Sequence, residues 1–364
     1  MTQVDEDLQK RTSLTSGTAL GGRCRSKLPL GEVVPQGTKH LLGQGRGTSS
    51  LPIVCLMTKS VSVPEKTLEH WSSLYLAYRY RSQVALWWPT YGVDIDIQML
   101  PTTPGKAVQL ELKTTTPAGA GLHDVEVNLG QLWDYSHKPL GRQPFYAFPR
   151  PDWDGDLAAV ARVQQPRKEV TELAFRRSGP GWWFADWMVV LTTGQVVDVL
   201  RPELNAHGSG ARDSKARLVR FDVKNPANTV WGDPVSPAAP PEVINWLDFW
   251  YELERCGRDD WPQLILLPAL LVDQRRNSTA ADPGVYTHEE VAVMLRQAAD
   301  YPRPGRDGNL PLVILEPVEE GLYRITGELP DEQAQPEPGD DEVGVPGDNR
   351  QVVFLAAGTL FRVR

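Results

Sequence analysis

Two short stretches of alternating apolar and charged residues, separated by a turn, constrain this chain more than any other part of its sequence. Residues 91–98 are Tyr-Gly-Val-Asp-Ile-Asp-Ile-Gln, and residues 108–113 are Val-Gln-Leu-Glu-Leu-Lys. Because successive side chains of a strand point to opposite faces, each stretch predicts a strand with one apolar and one polar face. The intervening Pro101-Thr-Thr-Pro-Gly105 predicts a turn, so we expect the two strands to face each other as a hairpin.

The polar face of this predicted hairpin carries groups of complementary chemistry. Asp94 and Asp96 share that face on the first strand, and Glu111 and Lys113 share it on the second. Two carboxylates and an ammonium group that converge from adjacent strands are what a divalent cation and an activated water require. Asp94 is favoured as the first carboxylate because it follows Gly92 and lies earlier on the strand, and Asp96 is the alternative.

The composition is that of a soluble globular protein. The 364 residues are 41% hydrophobic and 23% charged, and they suffice for one large domain or two ordinary ones. The three cysteines, Cys24, Cys55 and Cys256, form no CxxC pair, which argues against a disulfide framework or structural zinc and favours a reducing, cytoplasmic compartment. The acidic start lacks the apolar segment of a signal peptide, and the longest apolar run, residues 264–272, is too short to cross a membrane.

The net charge of −8 counts against a protein that coats nucleic acid through bulk positive charge. However, residues 328–348 contain eight carboxylates and no Lys or Arg, so the rest of the chain is nearly neutral. A local cleft in which basic side chains face phosphate is therefore compatible with this composition.

The sequence divides into four segments. Residues 1–60, rich in Gly, Ser and Thr, predict a flexible N-terminal arm. Residues 61–150 predict a folded core, and residues 151–233 a β-rich extension of it. Residues 234–364 predict a C-terminal α+β region that contains an acidic, disordered loop at 328–349.

Within the core segment, the pattern predicts a helix, three strands, a helix and a strand. The first helix begins after Pro64, a residue that suits a helix start. A strand over residues 84–88 and the two strands of the hairpin follow. The segment then continues with a predicted loop, helix and strand, over residues 117–121, 124–135 and 143–148.

Beyond residue 150 the pattern is less regular. It predicts a hairpin around Thr193-Gly194, a buried strand over residues 264–272, and a helix that opens with the capping box Thr287-His-Glu-Glu290. A further helix is predicted at 242–256, and further strands at 218–224, 312–315, 322–325, 352–355 and 360–363.

Gly92-Val-Asp94 followed by Glu111-Leu-Lys113, in this order of elements, resembles the PD-(D/E)XK nuclease superfamily. Gln131-Leu-Trp-Asp-Tyr135 on the next predicted helix resembles the QxxxY motif of its exonuclease-like and restriction-like branches. The resemblance covers residues 64–150, and it departs from the family because no proline directly precedes Asp94. It implies an α/β (α+β) fold with a restriction-endonuclease-like αβββαβ core and a mixed sheet, followed by the C-terminal α+β region.

The resemblance also implies a metal-dependent phosphodiesterase. Asp94 and Glu111 would hold Mg²⁺ or Mn²⁺, with the carbonyl of Leu112 and the carboxylate of Glu69 as further ligands. Lys113 would lie near the metal-bound water and the scissile phosphate, where its charge helps to form hydroxide or to neutralise developing negative charge.

The remaining implied residues would contact the substrate. Gln131 and Tyr135 are one helical turn apart and can reach the same cleft, Gln131 to orient water or a phosphate and Tyr135 to contact the backbone. Arg79 and Arg81, at the end of the first helix, could also meet phosphate. The implied partner is nucleic acid, with DNA favoured over RNA and no membrane. The region beyond residue 150 would provide substrate choice, homo-oligomerisation or binding of a protein partner.

Other interpretations of the same residues are open. The polar face could be a solvated hairpin face held by cross-strand ion pairs. Phe221-Asp-Val-Lys224 repeats the Asp-x-Lys pattern at a strand end, with Asp198 on an earlier predicted strand. The alternative to an enzyme is a catalytically silent, nuclease-like binding or scaffold subunit of a nucleic-acid-processing complex, against which the intact set of site residues argues.

Overall fold

A mixed β-sheet with helices on it forms the centre of the structure. The structure is a computed structural model, and it describes residues 63–88, 100, 103–150, 188–207, 214–276, 284–300, 311–319, 321–328 and 350–360. All of these fall within one compact unit, Leu56–Arg364. The predicted N-terminal arm, Asp94, Asp96 and nearly all of the predicted acidic loop lie outside the described residues.

The helices and strands follow one another in a mixed order along the chain. The described helices are α1 (Glu65–Tyr80), α2 (Leu129–Ser136), α3 (Thr193–Val199), α4 (Arg201–His207), α5 (Trp246–Glu254), α6 (Ala269–Arg276) and α7 (His288–Ala299). The described strands are β1 (Val84–Trp87), β2 (Gly105–Leu112), β3 (Thr116–Gly119), β4 (Leu122–Asn128), β5 (Pro144–Pro149), β6 (Met188–Thr192), β7 (Lys215–Asp222), β8 (Val230–Trp231), β9 (Ile244–Asn245), β10 (Leu264–Pro268), β11 (Val285–Thr287), β12 (Leu312–Glu319), β13 (Leu322–Glu328) and β14 (Arg350–Ala356).

Ten of the described strands form the main sheet. Eight of them run in the order β11-β13-β12-β10-β2-β5-β6-β9, while β14 pairs with both β2 and β1. The pair β2–β5 is parallel and the other described pairs of this sheet are antiparallel. A second sheet has the order β3-β4-β7-β8. The predicted α+β class with a mixed sheet is therefore confirmed.

Strand β2 lies at the centre of the main sheet, with neighbours on both edges. Along one edge, β14 pairs with residues 105–111, and Arg350 lies opposite Glu111. Along the other edge, β10 pairs with residues 105–107 and β5 with residues 109–112. The predicted hairpin placed residues 91–98 beside β2, but both edges of β2 are occupied over residues 105–111 by strands distant in sequence. That pairing is therefore wrong for β2.

The alternation along β2 sends its side chains into two different environments. Val108, Leu110 and Leu112 point to the apolar core formed with α1, α5 and α7, as the pattern predicts. The other face is also covered, because α2, α3 and the smaller sheet pack on the main sheet there. Gln109 and Glu111 lie on this second face and are buried rather than solvated.

One predicted helix begins later than the sequence suggested. Residues 124–135 were expected to be helical, but β4 extends to Asn128 and only then does α2 begin. The alternation Val125-Glu-Val-Asn128 suits a strand, and it pairs with β7. The Asn128 side chain caps α2 by accepting a hydrogen bond from the Gln131 backbone N–H at 3.0 Å, which fixes the helix start. Similarly, residues 117–121 lie largely in the β3–β4 hairpin and are not a free loop.

Two further predictions were wrong: the hairpin around Thr193-Gly194 and the length of the strand over residues 264–272. The segment around Thr193-Gly194 is the start of α3, because Thr192 and Gln195 form a capping box there. The predicted strand over residues 264–272 ends at Pro268, where α6 begins. The other described elements lie within a few residues of their predicted bounds, including α1 after Pro64 and α7 after its capping box.

The predicted segments are joined by the main sheet. Residues 61–150 contribute β1, β2 and β5, residues 151–233 contribute β6, and residues 234–364 contribute the rest of the main sheet. Strands from both sides of the predicted boundaries at 150 and 233 therefore belong to the same sheet. Among the described helices, none is long and apolar enough to cross a membrane.

The capping box of α7 yields a test of the fold. The Thr287 hydroxyl accepts from the Glu290 N–H at 3.3 Å, and Glu290 accepts from the Thr287 N–H at 2.9 Å. Thr287→Ala should lower the free energy of unfolding by about 1 kcal/mol, measured by urea denaturation. Thr67→Ala, inside α1 where threonine has no capping role, is the control and should cause no loss. Equal losses in both variants would contradict a capping role for Thr287.

Candidate functional site

Glu111 is a fully buried carboxylate near the end of the central strand. It is 0% exposed and lies between β14 and β5 in the ladder. An ionised carboxylate in such a place is costly unless it is paired and hydrogen-bonded. Its partners therefore determine what this part of the molecule can do.

Lys113 supplies the opposite charge from just beyond the end of β2. Its Nζ lies 2.6 Å from Glu111 Oε1, and the side chain is 10% exposed. The backbone N–H of Lys113 donates to the carbonyl of Ala147 at 2.9 Å, which continues the pairing with β5. The predicted Glu-x-Lys pair is thus a buried ion pair, not a solvated hairpin face.

Helix α2 supplies the second partner of Glu111. The Tyr135 hydroxyl donates to Glu111 Oε2 at 3.1 Å, and Gln131 Nε2 donates to the Tyr135 hydroxyl at 2.8 Å. Because Gln131 donates to the phenol oxygen, the phenol proton is directed to Glu111. The i, i+4 spacing of the predicted QxxxY pattern brings both side chains to the same place. Gln131, Tyr135, Glu111 and Lys113 form one connected chain, which we call the Glu111 network.

Glu69 of α1 is a second buried acid, and it lies within electrostatic reach of Lys113. It is 4% exposed, and Lys66 Nζ lies 3.2 and 3.1 Å from its two oxygens. Burial raises the pKa of the Glu69 carboxyl, and the hydrogen bond and charge of Lys66 and the charge of Lys113 oppose this only in part. Lys66 is largely exposed, so this side of the site borders solvent.

Two residues near the Glu111 network were not predicted. Arg350 lies opposite Glu111 in the ladder, is 3% exposed, and has its Cζ 5.4 Å from the centre of the Tyr135 ring. Lys138 Nζ lies 5.5 Å from the same ring centre. The sequence signal for Arg350 is that it is the first Lys or Arg after Arg324 and precedes an apolar strand pattern.

Gln109 is a further buried polar residue on the same face of β2. It is 1% exposed, and within the part of the chain that the structure describes neither its amide oxygen nor its amide nitrogen has a hydrogen-bond partner. Leaving such atoms unpaired costs free energy. The Gln109 amide, two residues from Glu111, therefore offers a buried donor and a buried acceptor to which a ligand or another segment of the chain can hydrogen-bond.

The other predicted site residues have different surroundings. The Arg79 guanidinium donates to Glu254 Oε1 at 2.9 and 2.7 Å and lies against the rings of Tyr75, Tyr80 and Tyr251. Arg79 therefore joins α1 to α5. Its guanidinium is engaged by Glu254 in this structure and is not presented to a phosphate. Arg81 is exposed at the end of α1, and the Leu112 side chain packs in the core.

The second Asp-x-Lys pattern has a local structural role. Asp222 accepts from the backbone N–H groups of Lys224 and Asn225 at 3.0 and 3.1 Å, which closes the turn after β7. Asp198 lies on α3, not on a strand, and pairs with Arg201. These two acids therefore do not form a second site.

The oxygen ligands of the Glu111 network and of the nearby Glu69 suit a hard divalent cation in part. Carboxylate and carbonyl oxygens are the ligands that Mg²⁺ and Mn²⁺ prefer, and Glu111 and Glu69 provide buried carboxylates. Among the described residues, no group of three or more His, Cys, Asp and Glu could hold a metal ion. The predicted third carboxylate, Asp94 or Asp96, lies outside the described residues.

Comparison of the chain with family models, with curated proteins and with solved structures found no match. The function must therefore be inferred from the residues and their geometry.

Removal of Lys113 tests whether the ion pair holds the site together. Lys113→Met leaves a buried carboxylate without its cation, so the free energy of unfolding should fall by about 3 kcal/mol. Adding Glu111→Leu to this variant should recover most of the loss. Lys215→Met, at an exposed lysine of β7, is the control and should change stability by less than about 0.5 kcal/mol. A loss in the double variant as large as in Lys113→Met would contradict a buried pair.

The raised pKa of Glu69 predicts a pH-dependent effect on stability. A carboxyl whose folded pKa is raised destabilises the fold above that pKa, where it is ionised, and has no such effect below the unfolded pKa, where both states are protonated. Glu69→Gln should therefore raise the free energy of unfolding at pH 7.5 relative to wild type, and raise it less at pH 4. Urea denaturation at the two pH values measures this. A variant that is less stable than wild type at pH 7.5 would contradict it.

Proposed function

We propose that this protein is a metal-dependent nuclease that hydrolyses phosphodiester bonds in nucleic acid, with DNA favoured over RNA. The observation that carries the proposal is the Glu111 network, in which four residues of the predicted Glu-x-Lys and QxxxY patterns are connected through side-chain contacts of 2.6–3.1 Å. Two residue patterns that had no common role would not be expected to bring their side chains into one hydrogen-bonded network.

The arrangement of strands also supports a restriction-endonuclease-like core. Strand β2, which bears Glu111, is parallel to β5, and α2 with its Gln131 and Tyr135 lies between them in sequence. A parallel pair needs such a crossover connection. The β3–β4 hairpin is an addition between β2 and α2, and it belongs to the second sheet.

The local charge suits a phosphate substrate. Lys66, Lys113, Lys138 and Arg350 lie around the site, whereas its described acids are Glu69 and Glu111. This neighbourhood is therefore more positive than the chain as a whole, whose net charge is −8. Clustered cations attract and orient phosphate even when the whole protein is acidic.

Each residue of the network has a role in this proposal. Glu111 and Asp94, with the Leu112 carbonyl and Glu69, would hold Mg²⁺ or Mn²⁺, which when bound would polarise the phosphate and make water a better nucleophile. The Lys113 ammonium would neutralise charge that develops on the phosphate oxygens. Tyr135 holds the Glu111 carboxylate in one orientation, and Gln131 fixes the direction of the Tyr135 proton.

A catalytically silent scaffold is the second candidate, and one observation favours it. Glu111 is 0% exposed, and protein groups already contact both of its carboxylate oxygens. In a scaffold these contacts would be permanent. In the nuclease, a cation would compete with Lys113 for Glu111, and Lys113 would be released towards the substrate.

Nuclease assays with matched variants test the proposal. Plasmid, linear duplex, single-stranded DNA and RNA are incubated with the purified chain and Mg²⁺ or Mn²⁺. Glu111→Gln and Lys113→Ala should each reduce cleavage at least about a hundredfold while the far-UV circular dichroism is retained. Glu126→Gln, at an exposed carboxylate of β4, should cleave like wild type. Cleavage at the wild-type rate by both site variants would overturn the proposal, and the absence of cleavage by folded wild type would favour the scaffold.

A further inference from the structure

A second cluster of ionisable side chains surrounds Cys256, on the face of β2 opposite Glu111. Lys106 comes from β2, five residues before Glu111 and therefore roughly 16 Å from it along the strand. His288 comes from the first turn of α7, and Cys256 follows the end of α5. The proposed nuclease function does not use any of these three residues.

The sulfur of Cys256 has two basic neighbours. The Lys106 ammonium and the His288 imidazole both lie close enough to Cys256 for their charges to lower the pKa of its thiol. Lys106 Nζ also donates to the carbonyl of Leu253 at 2.9 Å, near the C-terminal end of α5. Lys106 and Cys256 are each 1% exposed, so this cation and this thiol meet inside the core.

A hydrogen-bonded frame fixes the position of Cys256. Gln263 Nε2 donates to the Cys256 carbonyl and contacts the Tyr323 hydroxyl, both at 2.8 Å. The Tyr323 hydroxyl lies 3.4 Å from His288 Nδ1. Cys256 itself has φ of 110°, a conformation that costs a residue with a side chain about 1–3 kcal/mol. Such strain persists only where the surrounding contacts determine it.

The charges around the sulfur favour its ionised form. Burial raises the pKa of the Cys256 thiol, but the charge of Lys106, the hydrogen bond and charge of His288 and the charge of Arg296 outweigh it and lower that pKa. Burial lowers the pKa of Lys106 to about 8, which the sulfur opposes. Acids also face the cluster. The pKa of His288 is raised chiefly by its interaction with Cys256 and also by the charge of Asp259. The pKa of Tyr323 is raised chiefly by burial and also by the charges of Asp259 and Asp260.

We propose that hydrogen peroxide oxidises the sulfur of Cys256 to a sulfenic acid. The sulfur attacks as the thiolate on one peroxide oxygen, the S–O bond forms and the O–O bond breaks. The hydroxide that leaves takes a proton from the His288 imidazolium and becomes water. Sulfur loses two electrons and the peroxide gains them, so the products are the sulfenic acid, water and neutral His288. Thiolate character determines susceptibility to this reaction.

Burial determines which oxidants can react. Lys106, Gln263 and Tyr323 are each at most 1% exposed, while His288 is half-buried and is thus the most exposed residue of the cluster. Because the sulfur is buried, a small peroxide should reach it more readily than a bulky alkylating reagent. Cys256 should therefore react with hydrogen peroxide faster than with N-ethylmaleimide, relative to the other two cysteines of the chain.

The test uses the full chain and follows each cysteine separately. Hydrogen peroxide is added at pH 6 and removed with catalase after a set time. The chain is then unfolded in urea that contains excess dimedone, so that every sulfenic acid is trapped whatever its burial in the folded chain. The peptides containing Cys24, Cys55 and Cys256 are quantified by mass spectrometry. Cys256 should be labelled at least about tenfold faster than the other two, because an ordinary thiol is largely protonated at pH 6. Lys106→Met and His288→Asn should each slow this labelling at least about tenfold. Lys215→Met should not.

A second measurement does not depend on access to the sulfur. The absorbance at 240 nm of wild type minus that of Cys256→Ser reports the thiolate, and its pH midpoint should lie below that of a free cysteine, about 8.5. Lys106→Met should raise the midpoint. A midpoint at or above about 8.5 would overturn the proposal. So would a thiolate signal at pH 6 without dimedone labelling, since it would show a structural ion pair that peroxide does not oxidise.

Discussion

The buried ion pair between Glu111 and Lys113 is the interaction on which the centre of this structure depends. A fully buried carboxylate on the central strand is stabilised there by an ammonium 2.6 Å away and a phenol 3.1 Å away. Those partners come from just beyond the end of β2 and from α2, so the hydrogen bond from Tyr135 to Glu111 ties α2 to the sheet. Hydrophobic residues of similar volume would satisfy the fold more simply. The proposed metal site would account for a charged pair at this position.

Much of the fold follows from local signals in the sequence. Pro64 predicts the start of α1, the capping box at Thr287 predicts α7, and the alternation at 108–112 predicts β2 and its core-facing residues. Errors arose where two local signals competed. Thr193-Gly194 resembles a turn but follows the capping residue Thr192, and residues 125–128 fit a helical and a strand period at once. The structure adopts the option that satisfies backbone hydrogen bonds through pairing or capping.

The sequence predicts those contacts of the candidate site that join residues of the same strand or the same helix. Glu111 with Lys113 and Gln131 with Tyr135 share faces because of the strand and helix periods. The parts that were not predicted depend on contacts between distant residues. Arg350 meets Glu111 through a ladder that joins residues 111 and 350, and Arg79 is held by Glu254. Local periodicity contains no information about such pairings, so the neighbour of β2 was assigned to the wrong segment.

The central claim is that the Glu111 network is half of a metal site completed by Asp94. Calorimetric titration of Mn²⁺ into wild type and into Asp94→Asn, Glu111→Gln and Asp96→Asn tests it most directly, without requiring a substrate. We expect saturable binding to wild type and to Asp96→Asn, and loss of binding in Asp94→Asn and Glu111→Gln. Absence of binding to wild type, or binding that persists unchanged in both Asp94→Asn and Glu111→Gln, would contradict it.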